Sequence, residues 1–202
     1  MISGGELGVY KALYLNKGGL HIREISKKAD LTLPSVFNHI KRGEERGTIS
    51  CETKGRMKIC KLNFESKFLV PILQEIELSR LGELPERVRR ALNDFINNLQ
   101  EKPLIISVFG SYATGKQTKS SDLDVLLVYQ RIDNELMKKI EVSVSRIKGR
   151  TTINIQPVSI SYDEFQKEIM DLENEFMKDV RKYAVAITGM ELYINFLGRF
   201  YQ

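Results

Sequence analysis

Residues 104–128 read LIISVFGSYATGKQTKSSDLDVLLV, and this stretch decides the fold. Residues 104–109 are short and nearly all apolar, which predicts a buried strand. A glycine-bearing loop, Gly110, Ser111, Tyr112, Ala113, Thr114, Gly115 and Lys116, follows it. Ser121, Asp122, Leu123, Asp124 and Val125 then open a second apolar strand. Alternate residues of a strand point the same way, so Asp122 and Asp124 share one face and Leu123 and Val125 the other. Two carboxylates side by side repel unless a cation lies between them. Magnesium, or manganese in its place, is the hard, oxygen-seeking ion that suits them.

Two readings of the loop compete. Gly110 and Gly115-Lys116 nearly fit the phosphate-binding pattern G-x-x-x-x-G-K-[ST]. Position 117 is Gln, however, which removes the metal-binding hydroxyl, and the loop leads into a strand where that pattern must open a helix. Strand, Gly110-Ser111, a short loop, Ser121 and then Asp122-x-Asp124 on the next strand instead resembles the DNA polymerase β-type nucleotidyltransferase superfamily. The loop residues 112–116 are similar to those of its small prokaryotic members. The resemblance implies that Gly110, Ser111, Lys116 and Ser121 bind a nucleoside triphosphate. It also implies that Asp122 and Asp124 are catalytic and hold Mg2+ or Mn2+ for transfer of a nucleoside monophosphate, with pyrophosphate leaving.

Active members of that superfamily carry a third acid on a later strand. Here a helix is expected over 134–148 and the next strand over 151–160. Its polar positions Thr152, Asn154 and Gln156 include no acid. Asn154 or Gln156 stands at the expected third position, where an amide brings no charge and cannot act as a base.

The first third of the chain predicts three helices and a hairpin. The first helix is read over 6–16 with Leu7, Tyr10, Leu13 and Tyr14 inward, and the second over 22–29. The third begins after Leu31, with Thr32 as N-cap and Pro34 in the first turn. Val36, Phe37 and Ile40 are expected to face the core. A hairpin turning at Gly55-Arg56 sets Cys51 opposite Cys60 and Ile49 opposite Leu62 on one face. That accounts for the cysteines as small apolar residues under the hairpin; a cross-strand disulfide also fits the register but is disfavoured in a reducing cytoplasm.

This order resembles the winged-helix regulators, which implies a DNA-binding head. Ser35, Asn38 and His39 would reach base edges, with Lys41 and Arg42 at phosphates and Lys54, Arg56 and Lys58 on the wing. Charge agrees: residues 1–66 hold 12 Lys/Arg against 7 Asp/Glu, while residues 67–202 hold 19 of each. His39 and His21 have no cysteine or carboxylate cluster beside them, so neither reads as a metal ligand.

Residues 67–99 predict helices. One stripe comprises Phe68, Leu69, Ile72, Leu73, Ile76 and Leu78; the other comprises Val88, Leu92, Phe95, Ile96 and Leu99. They suit a linker or a homodimer interface. From Ser161 one amphipathic helix is expected through Phe165, Ile169, Leu172, Phe176, Val180 and Ala184, ended by Gly189. A short helix over 191–200 follows, both covering the sheet. No apolar run approaches the roughly 18 residues that span a bilayer. The N-terminus lacks a basic segment before an apolar run. A cytoplasmic protein with no membrane partner is expected.

The expected architecture is thus α+β. A winged helix spans 1–66, a helical linker 67–99, and a nucleotidyltransferase-like domain with a small mixed sheet and covering helices 100–202. Three functions fit: a magnesium-dependent nucleotidyltransferase with a DNA-binding head, a transcription regulator whose degenerate domain only senses a nucleotide, or one component of a toxin–antitoxin pair with its partner protein.

Overall fold

A computed structural model describes residues 2–55 and 57–201. The chain is α+β and divides into two compact units, residues 1–76 with 194–202, and residues 77–193.

In the first unit, α1 (Gly4–Tyr14), α2 (Ile22–Ala29) and α3 (Leu33–Glu45) follow the predicted order. Ser3 caps α1 by accepting from the Glu6 amide. β2 (Ile49–Lys54) and β3 (Met57–Leu62) form the hairpin in the predicted register, Cys51 opposite Cys60 and Ile49 opposite Leu62. A short strand, β1 (Leu20–His21), adds to β3 and was not foreseen. Val9, Tyr10, Leu13, Ile25, Val36 and Ile40 fill the core.

Two expectations fail here. Cys51 and Cys60 are bonded as a disulfide, not left as thiols; the register sets their Cα atoms 4.1 Å apart, within bonding reach. Phe37 does not face the core. It is 52% exposed, because Val36 and Ile40 already occupy the buried side of α3 and Phe37 lies about 100° around the helix from Val36.

The linker is not a separate body. Residues 69–76 of α4 (Leu69–Glu83) belong to the first unit, where Leu69, Leu73 and Ile76 are buried. Phe68 and Leu78, assigned to the same stripe, are exposed. The remainder of α4 and all of α5 (Glu86–Asn98) belong to the second unit.

The second unit is built on a four-stranded sheet in the order β6-β5-β4-β7. β4 (Ile105–Val108) and β5 (Leu123–Tyr129) are antiparallel neighbours; β6 (Ile155–Ser161) lies parallel to β5. Parallel neighbours need a crossover, and α7 (Asn134–Lys148) supplies it. Asp133 starts α7 by accepting from the Leu136 amide. One sheet face, Ile106, Val108, Leu123, Val125 and Leu127, packs on Val88, Leu92 and Phe95 of α5 and on Leu136, Ile140 and Ile147 of α7. The aspartates are left on the opposite face.

The long helix expected after Ser161 is two, α8 (Tyr162–Glu168) and α9 (Glu175–Tyr183), followed by a strand, β7 (Val185–Thr188). Polar capping breaks it. Asn174 accepts from the Met177 amide to start α9, and buried Arg181 donates to the carbonyls of Ile169 and Asp171. Leu172, placed on the predicted stripe, is exposed. Val185, Ala186 and Thr188 pair with β4 instead of continuing a helix. Gly189 therefore ends no helix. It follows β7 with φ +68°, and a Cβ there would lie 2.0 Å from the Leu104 carbonyl oxygen. α10 (Met190–Tyr201) was expected to cover the sheet, yet residues 194–202 belong to the first unit, where Tyr201 stacks on Phe64 with ring centroids 6.3 Å apart.

Candidate functional site

The site lies where β4 ends beside β5. The Phe109 amide donates to the Asp124 carbonyl at 3.1 Å, the last rung of that pairing. Gly110 then turns the chain with φ +67° into α6 (Gly110–Thr114), a single turn. Its Cα comes so near Asp124 that an added Cβ would sit 2.2 Å from Oδ2. Only glycine lets the backbone lie against that carboxylate. Phe176 of α9 braces the turn, edge-on to Phe109 at 5.1 Å. The short α6 ends at Gly115, and Lys116 continues into a loop, so the alternative phosphate-loop architecture is absent from this segment.

Asp122 and Asp124 flank buried Leu123 and are both half-buried. Burial, then the neighbouring Asp122 carboxylate, pushes the Asp124 carboxyl above its ordinary value. Both causes disfavour the charged form: burial removes water from it, and the like charge of Asp122 repels it. The parallel register sets Gln156 opposite Asp124 and brings Asn154 level with Asp122. Both amides reach the same acid: Asn154 Nδ2 donates to Asp122 Oδ1 at 3.0 Å and Gln156 Nε2 to Oδ2 at 3.3 Å. The two candidates for the third position therefore share it, as neutral donors where an acid would stand.

Among the described residues no group of three or more His, Cys, Asp or Glu could hold a metal. The oxygen donors of Asp122 and Asp124, two half-buried carboxylates on either side of buried Leu123, nevertheless fit a hard divalent cation.

Ser111 is half-buried in the first turn of α6, and its carbonyl accepts from the Lys116 amide at 3.0 Å. Lys116 is exposed. Ser121 Oγ accepts from the Thr118 amide at 2.8 Å, so in this structure it closes the loop ahead of Asp122 and the nucleotide role is not what holds it.

In the first unit, Asn38, Lys41 and Arg42 are exposed along α3 and Ser35 is half-buried. His39 turns inward, with its Nε2 3.2 Å from where a Cβ on Gly5 would be, so it does not share the face of Asn38. Lys58 pairs with Glu44 at 2.9 Å. Arg56 and the side chain of Lys54 lie outside the described residues. Sequence reasoning missed Phe37, Leu33 and Met57, which are exposed on this same unit; their i, i+4 spacing on α3 (Leu33, Phe37) was the available signal.

If the carboxylate pair binds a cation, thermal stability should report it, with a defined pH sign. The Asp124 pKa is raised on folding, so its contribution to stability is present at acid pH and is lost as pH rises through that raised value. Without divalent cation, Asp124→Asn should therefore melt above wild type at neutral pH. The difference should disappear below the ordinary carboxylate range. Magnesium at a hundred times its Kd should add about 2.7 kcal/mol to wild type and nothing to Asp124→Asn. Thermal melts across pH, with and without magnesium, test both; equal melting at every pH would count against the assignment.

Residues 91–179 match the family model described as Polymerase beta, Nucleotidyltransferase. The matched segment contains Gly110, Ser111, Asp122, Asp124, Asn154 and Gln156. It supports the nucleotidyltransferase superfamily for the second unit; residues 1–90 lie outside it. No curated protein and no solved structure matches the chain.

Proposed function

We propose that the second unit binds a magnesium nucleoside triphosphate and transfers its nucleoside monophosphate to an acceptor hydroxyl, under the direction of a DNA-binding winged-helix head. The observation that carries this reading is the Gly110 backbone laid against Asp124, with Asp122 beside it. On this reading the Gly110 turn would let a phosphate approach the backbone, and Ser111, the next residue, would donate a hydrogen bond to it. Asp122 and Asp124 would hold Mg2+ or Mn2+, which supplies charge neutralisation of the triphosphate and of the developing pyrophosphate. The acceptor oxygen bonds to the α-phosphorus, the bond to the β-phosphate oxygen breaks, and pyrophosphate leaves. The acceptor's hydroxyl proton would pass to solvent water, since among the described residues no third carboxylate stands beside the pair to take it. Asn154 and Gln156 orient Asp122 through their amide hydrogens.

A second reading has its own observation. With two amides donated onto Asp122 and no third acid, the site has binding groups but lacks the usual base. On this reading the unit senses a nucleotide for a transcription regulator. A toxin–antitoxin pairing is compatible with either chemistry and would require a partner protein. For the head, the support is the basic excess in residues 1–66 and the exposed Asn38, Lys41 and Arg42 on α3. DNA and nucleoside triphosphates are cytoplasmic ligands, and no helix among the described residues is long and apolar enough to cross a membrane.

Incubation with each α-labelled nucleoside triphosphate, magnesium or manganese, and cell extract separates the readings. Label should pass to a product with wild type and not with Asp122→Asn/Asp124→Asn. Magnesium-dependent binding without label transfer would replace the transferase with the sensor, and loss of both would remove the nucleotide from the account.

A further inference from the structure

The outer face of α3 carries a ring that core packing does not explain. Phe37 is 52% exposed while its neighbour Val36 is fully buried. Leu33, one turn earlier, is 39% exposed, and Met57, at the start of β3, is 54% exposed. With Ile22, these three line one open groove of about 590 Å³, and Arg23 and Lys58 also border it. Asn38 and Lys41 are exposed one and four residues after Phe37, the positions that share or adjoin its side of the helix.

The surrounding charge says what should cover this face. Among the described residues Arg23, Lys41 and Arg42 have no acidic partner; of the acids at the end of α3, Glu44 holds Lys58 at 2.9 Å and Glu45 is exposed. An apolar groove bordered by unpaired Arg23, with Lys41 and Arg42 exposed further along α3 in a segment of net basic charge, suits a polyanion that also displays an apolar group. In the major groove of DNA the apolar group is the thymine C5-methyl.

We propose that Phe37, supported by Leu33 and Met57, reads thymine methyl groups in the major groove, next to adenines read by Asn38. The proposal rests on the DNA-binding reading of the first unit and adds a base preference to it. An asparagine beside an aromatic ring matches the two halves of an A·T pair, since Asn bonds adenine N6 and N7 while the ring contacts the methyl. The selected site is therefore rich in A·T pairs at the positions facing α3.

Selection of duplexes from a random pool by the full-length protein, followed by replacement of single thymines with uracil, tests this directly. Uracil deletes only the methyl. At a contacted position it should weaken binding about three- to tenfold, the loss of one buried methyl, and Phe37→Ala should bind thymine and uracil duplexes equally. Specific binding that ignores every uracil replacement, or a selected site without thymine opposite α3, would overturn the proposal and leave DNA binding standing. No salt-dependent binding to any duplex would remove the DNA reading and the proposal together, and would turn the groove over to a protein partner.

Discussion

Gly110→Ala should abolish magnesium-dependent nucleotide binding while the protein stays folded. The added Cβ would stand 2.2 Å from Asp124 Oδ2, well inside van der Waals contact, and at φ +67° a side chain is strained even without the clash. Either the turn swings away from β5 or the carboxylate rotates off its position beside Asp122. Each outcome misplaces a phosphate site relative to the metal-binding oxygens by about an ångström. Displacements of that size cost on the order of a hundredfold in well-oriented chemistry. The strain adds only about 1–2 kcal/mol to the cost of folding, so circular dichroism should be unchanged. Titration of labelled nucleotide with magnesium would check it. Wild-type affinity in the variant would mean that the Gly110–Asp124 approach does not build the site.

Arg80→Met should produce the largest loss of stability. Arg80 and Glu77 are 8% and 1% exposed and pair at 2.8 Å within α4. The guanidinium also donates to the carbonyls of Ala184, at 3.0 Å, and Tyr183, while Glu77 accepts from the Ala186 amide at 3.1 Å. This clip fastens the start of β7, an edge strand of the sheet that carries the aspartates. Removing one member of a buried pair costs about 3–5 kcal/mol, because the remaining charge keeps its desolvation penalty. For a chain of this size that corresponds to roughly 6–20 °C in melting temperature. The double variant Glu77→Leu/Arg80→Met should recover part of the loss by removing the second charge. It should not recover all, since the Tyr183 and Ala184 carbonyls and the Ala186 amide still lose their partners. Differential scanning calorimetry of the three proteins decides it; a single variant melting within 2 °C of wild type, a shift worth about 1 kcal/mol or less, would refute the clip.

Local patterns read correctly over α2, α3, the hairpin and β4–β5, although the Asn174 cap that divides the helix expected after Ser161 was an equally local signal that was passed over. The 3.6-residue period and the caps placed α2 at its observed limits and α3 after Thr32, and the glycine turn fixed the Cys51–Cys60 register. The apolar run before Gly110 and the alternation through Asp122, Leu123 and Asp124 gave the strands and the face of the site, since strand alternation depends only on spacing. The absence of a third acid was equally legible, because it is a matter of composition over 151–160.

The sequence by itself thus determined the α+β class, the order of the helices in the first unit, the aspartate pair with its glycine turn, and the basic head. Tertiary structure alone decided four matters. It made Val185–Thr188 a strand instead of the end of a helix, because β4 offered a free edge and Glu77 a partner for the Ala186 amide. It turned Phe37 outward and His39 inward, since only the neighbouring helices define which side of α3 is filled. It gave both Asn154 and Gln156 to Asp122, because the parallel register of β5 and β6 brings two alternate residues to one carboxylate. It also returned residues 194–202 to the first unit. Each depends on partners distant in sequence, and spacing along the chain carries no information about which distant surface will be there to meet a side chain.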